Sequence, residues 1–119
     1  MEVKTKGKDL NGEGLRLGGN IILVGFSLEP TEMIVVKKII GNYVKKISEK
    51  IDYQDIKITL KETQKAKSFL HSIEISAKTA KGILAAKAVD NNLYTSLSEA
   101  LDKVFNQAEH KGRTSRQVK

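Results

Sequence analysis

Hydrophobic positions along this chain switch between two spacings, and each switch marks an element. Asn20 to Ser27 reads Asn-Ile-Ile-Leu-Val-Gly-Phe-Ser, a short β-branched run that suits a buried strand. Glu29-Pro30-Thr31-Glu32 follows; proline is tolerated in a first helical turn, where its missing N–H has no partner to lose, and early acids complement the helix N-terminus. Met33, Val36, Ile40, Val44, Ile47 and Ile51 then recur every three or four residues, one face of a helix, with Lys38, Asn42 and Lys45 opposite. Gly41 inside that pattern is either a tolerated defect or a point of close backbone approach. Asp52 to Asp55 reads as a turn. Ile56, Ile58 and Leu60 alternate with Lys57, Thr59 and Lys61, and His71, Ile73, Ile75 and Ala77 alternate with Ser72, Glu74 and Ser76. These are two half-buried strands, with polar Gln64 to Ser68 as their connection. Lys78 to Gly82 reads as a hairpin turn, and Ile83 to Val89 returns as a strand. Asn92 is a good N-cap for a last helix whose stripe is Tyr94, Leu97, Leu101, Val104 and Ala108, flanked by Leu93 and Phe105, with Gly112 as its C-terminal stop.

The predicted order is β-α-β-β-β-α. Short connections make the later strands antiparallel neighbours, and two amphipathic helices on one face of a four-stranded sheet bury each other's apolar surfaces in two layers. The fold class is α+β. Residues 1–19 stand apart, because Gly7, Gly12, Gly14, Gly18 and Gly19 interrupt every periodicity. We expect a flexible extension over 1–19, one domain over 20–112 and a basic tail over 113–119.

Composition narrows the chemistry. At 119 residues the chain suits a single core, an aliphatic one, since tryptophan is absent. The absence of cysteine excludes disulfides, thiolate metal sites and cysteine nucleophiles. No apolar run suits a signal sequence or a membrane span, so a soluble cytoplasmic protein is expected. The net charge of +7 favours anionic partners. It is unevenly spread: residues 1–29 are neutral, whereas His110 to Lys119 carry four basic side chains and no acid.

Candidate catalytic groups are poor. No nucleophile has an evident base, and His71 and His110 lack metal-ligand spacing. The glycines of residues 12–19 do not form a dinucleotide fingerprint. His71 and Tyr94 read as structural residues of a strand and an apolar helix stripe. The aromatics are too dispersed for a single-strand stacking platform, and no Gly-x-x-Gly loop lies between helices. Basic helices suit folded RNA read by backbone and shape. We therefore expect no enzyme, no cofactor, no metal, no membrane and no small-molecule substrate.

One stretch resembles a known family. Asn92-Leu93-Tyr94, then Asp102-Lys103-Val104, Gln107 and His110-Lys111-Gly112-Arg113 with Arg116 are similar to the hibernation-promoting factor and ribosome-associated translation inhibitor family. There a strand ends near an acid or amide, followed by Leu or Met, Tyr, and a helix reading roughly Asp-Lys-Leu-x-x-Gln-x-x-Lys-x-Lys. The resemblance covers residues 20–116 and implies a double-stranded-RNA-binding-domain-like fold. It implies occupancy of the decoding region of the small ribosomal subunit, storing ribosomes in inactive form. The partners implied are that subunit and its ribosomal RNA, with the chain a monomer off the ribosome. It also implies RNA contacts by Lys103, Gln107, His110, Lys111, Arg113 and Arg116 on the last helix and the basic end that follows it, and by Lys37, Lys38, Lys45 and Lys46 on the first. The chain departs from the family in having Ser96-Leu97-Ser98 where Ala-Ile-Asp is common, and in the 1–19 segment. It resembles the short form, without the domain by which long members pair ribosomes. The alternatives from the residues alone are a structured-RNA-binding module acting elsewhere and a protein-interaction domain.

Overall fold

Why the chain adopts this order is visible in a computed structural model, which describes residues 15–16 and 20–117, with side chains for 20–111. The elements are β1 (Leu15–Arg16), β2 (Ile21–Val24), α1 (Pro30–Lys50), β3 (Tyr53–Lys65), β4 (Ser68–Thr79), β5 (Gly82–Asp90) and α2 (Leu93–Gln117). The sheet order follows the sequence, β1-β2-β3-β4-β5. The four expected strands are present, and β2 and β3 are parallel neighbours joined by α1, while β3, β4 and β5 are antiparallel. The two-residue β1 adds an antiparallel edge to β2. The rest of the 1–19 segment lies outside the described residues.

Alternation along the strands puts one face in the core. Leu23, Ile58, Ile75 and Ala86 stand in register across four strands, as do Ile21, Ile56, Ala77 and Leu84. All but the half-buried Ala86 are buried. Both helices cover this face. Val36, Ile40, Val44 and Ile47 of α1 meet Leu97, Leu101, Val104 and Ala108 of α2 in one core, as the three-to-four spacing predicts. Lys50 Nζ of α1 is 3.9 Å from Glu109 Oε2 of α2, and Tyr43 senses the charge of Asp102. Both contacts advance together along the chain, so the helices run in the same direction.

The helix starts are built as the sequence suggests. Pro30 is the first residue of α1, and the Glu29 N–H donates to Glu32 Oε1 at 3.1 Å. Asn92 caps α2, its Oδ1 accepting the Thr95 N–H at 3.0 Å. Four expectations are corrected. Asp52 to Asp55 is not a turn as a whole: β3 already begins at Tyr53, which pairs with Thr79, with an irregularity in register before Asp55. The first strand ends at Val24 instead of Ser27, because Gly25 turns the backbone to φ +82° over the Leu60 carbonyl. Gln64 to Ser68 is no loop: the β3–β4 ladder continues to Lys65↔Ser68, and only Ala66-Lys67 turn. Gly112 does not stop α2, which runs on to Gln117; a glycine inside a helix costs only about 1 kcal/mol, and ends it only where the backbone turns left-handed.

Candidate nucleic-acid interface

The cations expected to meet RNA fall into two separate groups. On α1, Lys37, Lys38, Lys45 and Lys46 are all exposed. At 100° per residue, Lys38 and Lys45 lie about 140–160° round the helix from buried Ile40, so they point straight into solvent. Lys46 sits on the flank towards α2, its ammonium 5.4 Å from the centre of the Tyr43 ring. Tyr43 is half-buried, and its hydroxyl is held above the ordinary value of 10.0 by burial and then by the Asp102 carboxylate. Lys37 lies on the other flank.

On α2, Lys103, Gln107 and Lys111 recur at four-residue spacing along one line of the helix, and that line runs beside β5. Lys103 Nζ donates to the Lys87 carbonyl at 2.8 Å, and Lys111 Nζ donates to the Lys81 carbonyl at 3.4 Å. Between them the Gln107 amide makes a matched pair: Nε2 donates to the Ala85 carbonyl at 2.7 Å, and Oε1 accepts the Ala85 N–H at 3.2 Å. An open sheet edge presents unpaired backbone groups that invite another strand. The Gln107 side chain satisfies both groups of one residue, as a neighbouring strand would. The three residues that the family resemblance assigned to RNA therefore also brace α2 against β5. Each lysine ammonium has three donors, so a hydrogen bond to one carbonyl leaves Lys103 and Lys111 further donors for a phosphate.

His110 is exposed on the solvent side of α2. Arg113 and Arg116 are carried on the helical backbone, with side chains outside the described ones. Between the two groups of cations, α2 turns Asp102 and Glu109 towards α1. The helical surface is thus a basic α1 face and a basic α2–β5 margin, divided by an acidic seam.

The far face of the sheet was not singled out by sequence. Lys57, Lys61 and Lys65 alternate with the buried β3 residues and so share the uncovered face. Lys87 on that face pairs with Glu74 at 3.5 Å, and an open depression there is lined by Lys57, Thr59, Glu74, Ser76, Ala85 and Lys87. Among the described residues no three His, Cys, Asp or Glu side chains gather as a metal site. No helix among them is long and apolar enough to cross a membrane.

No protein-family model matches the sequence, and no curated protein matches it either. Solved structures do match the fold. The N-terminal domain of Thermus thermophilus Protein Y superposes with a TM-score of 0.57 at 17% identity, over 76% of this chain and 93% of that one. A ribosomal subunit interface protein from Coxiella burnetii gives 0.53 at 13% identity, over 79% and 96%. At such identities the likeness establishes a shared fold.

Proposed function

We propose that this chain binds the small ribosomal subunit at its decoding region and holds ribosomes in an inactive, stored form. Its activity is occupancy, with no bond made or broken. The observation that carries the reading is the solvent face of α1, where Lys37, Lys38, Lys45 and Lys46 stand exposed on a fold shared with a ribosomal subunit interface protein. The sequence likeness of Asn92-Leu93-Tyr94 and of the Lys103 to Arg113 pattern supports it independently. In this reading α1 supplies phosphate contacts, joined by Lys103, His110, Lys111, Arg113 and Arg116 along α2, while Gln107 holds α2 in place.

The test is co-sedimentation with purified small subunits. Lys38→Glu and Lys45→Glu together change the outermost cations of α1 and touch no core residue, so the fold survives. Binding should fall at least about tenfold and weaken steeply with added salt, since each neutralised phosphate releases counterions. Competition with messenger and initiator transfer RNA on the subunit locates the site. Wild-type binding by the double variant, or undisturbed co-occupancy with both RNAs, overturns the reading. In the second case a structured-RNA module acting elsewhere takes its place.

A further inference from the structure

The β3–β4 hairpin extends well past its neighbours. β2 pairs with β3 only as far as Thr59, and β5 pairs with β4 only from His71 onward. Lys61 to Leu70 therefore form a two-stranded ribbon with both edges open, and every residue from Lys61 to Phe69 is exposed. A bare two-stranded ribbon is marginal in water, and here no helix covers it. Its turn is also strained: Ala66 holds φ +56°, a conformation that costs an L-residue energy and that glycine adopts freely. Packing does not account for so long an arm.

Its side chains are ordered by the strand alternation. Lys61 and Lys65 project from the face that also carries Lys57, with Lys67 in the turn. Four residues of strand separate successive lysines of this row by about 14 Å. Among the described residues, Lys57, Lys61, Lys65 and Lys67 form no ion pair. The ribbon's one acid, Glu62, is on the opposite face, with its Oε2 3.0 Å from His71 Nδ1. On that opposite face, Phe69 is 54% exposed beside Gln64.

We infer that the β3–β4 arm is a second RNA-binding element, separate from the helices, in which Lys61, Lys65 and Lys67 contact backbone phosphates and Phe69 stacks on an unpaired base. The charge complementarity is one-sided: three cations outside any ion pair among the described residues, against a single acid on the opposite face, suit a polyanion on this projecting ribbon. An exposed aromatic at the same tip suits a nucleobase, since every base offers a π face. This inference deepens the ribosomal reading, and a second probe separates the two.

The experiment compares the full chain with Lys61→Gln/Lys65→Gln/Lys67→Gln and with Phe69→Ala. Two probes are used, purified small ribosomal subunits and a labelled RNA stem-loop of mixed sequence. Circular dichroism melting confirms the fold of each variant. The lysine variant should lower the slope of log affinity against log salt by roughly 2 to 3 on both probes, about 0.7–0.9 per lost phosphate contact. Phe69→Ala should weaken stem-loop binding about fivefold or more with the slope unchanged, because stacking releases no counterions. Wild-type affinity and slope in both variants overturn the arm inference, and if Lys38→Glu/Lys45→Glu still loses the subunit, the ribosomal reading stands. Arm-dependent stem-loop binding without subunit binding upholds the arm and overturns the ribosomal reading. If the arm variants keep their RNA affinity but lose contact with a ribosomal protein, the arm is a protein-docking element and the inference fails.

Discussion

At Gly25 a Cβ would fall against the Leu60 carbonyl oxygen, and the backbone already sits at φ +82°. Gly25→Ala therefore meets both a clash with the backbone and a disfavoured conformation. It should lower unfolding free energy by at least about 2 kcal/mol in chemical denaturation. Gly41 is the opposite case. Nothing lies within 4 Å of a Cβ built there, so the tolerated-defect reading holds and the close-approach reading does not. Gly41→Ala should stabilise the chain by about 0.5–1 kcal/mol in the same assay. Tyr43 provides a pH test. Its hydroxyl stays protonated above 10.0 because of burial and then the Asp102 carboxylate. The native state thus holds that proton more tightly than the unfolded chain does. The contribution to stability is complete below pH 10 and is lost as pH rises through the raised native value. Asp102→Asn removes the second cause, so ultraviolet titration should show the Tyr43 transition moving down towards 10. Of these roles the sequence offers only the tolerated defect at Gly41, and there only as one of two alternatives. A glycine in a run of apolar residues gives no sign of which carbonyl it must pass, and the Tyr43–Asp102 pairing is a matter of how two helices far apart in the chain align.

Among the elements, the margin between α2 and β5 decides how the sheet ends. Gln107→Ala removes both hydrogen bonds to the Ala85 backbone. A loss of about 1 kcal/mol is expected, with increased self-association in light scattering as the edge of β5 opens. A solution in which the variant is as stable and as monodisperse as the parent would show the bracing to be idle. The helices and the inner strand faces were readable because their spacing is imposed by burial. Met33 to Ile51 and the Leu97-Leu101-Val104-Ala108 stripe follow the core side by side. The long arm was not readable, since Thr63, Gln64 and Lys65 contact no core and carry no hydrophobic alternation. Ala66-Lys67 is also not a turn pair that sequence rules recognise. The same reason hid Gln107's role: an amide facing a strand edge has the sequence signature of an amide facing solvent. The cations of α1 and α2 were legible as basic positions, but their division into two groups by Asp102 and Glu109 depends on which flank of each helix meets the other.

On the scale of the whole molecule, the consequence is a basic surface on two sides of a thin, two-layered body. The α1 lysines lie on the helical side, and Lys61, Lys65 and Lys67 lie on an arm that leaves the sheet beyond the starts of both helices. A body of this kind is suited to sitting between two RNA segments. Contacts that far apart and without shared partners should act independently. If each side meets its own phosphates, Lys38→Glu/Lys45→Glu and the arm triple variant should lose affinity for small subunits by factors that multiply in the combined variant. Their decreases in salt slope should add in the same way. If both sides instead compete for one RNA surface, the combined variant should lose no more than the worse of the two, in affinity and in slope alike. Titrations of the four proteins against subunits at several salt concentrations distinguish these outcomes, because the two models differ in the coupling as well as in the size of the loss.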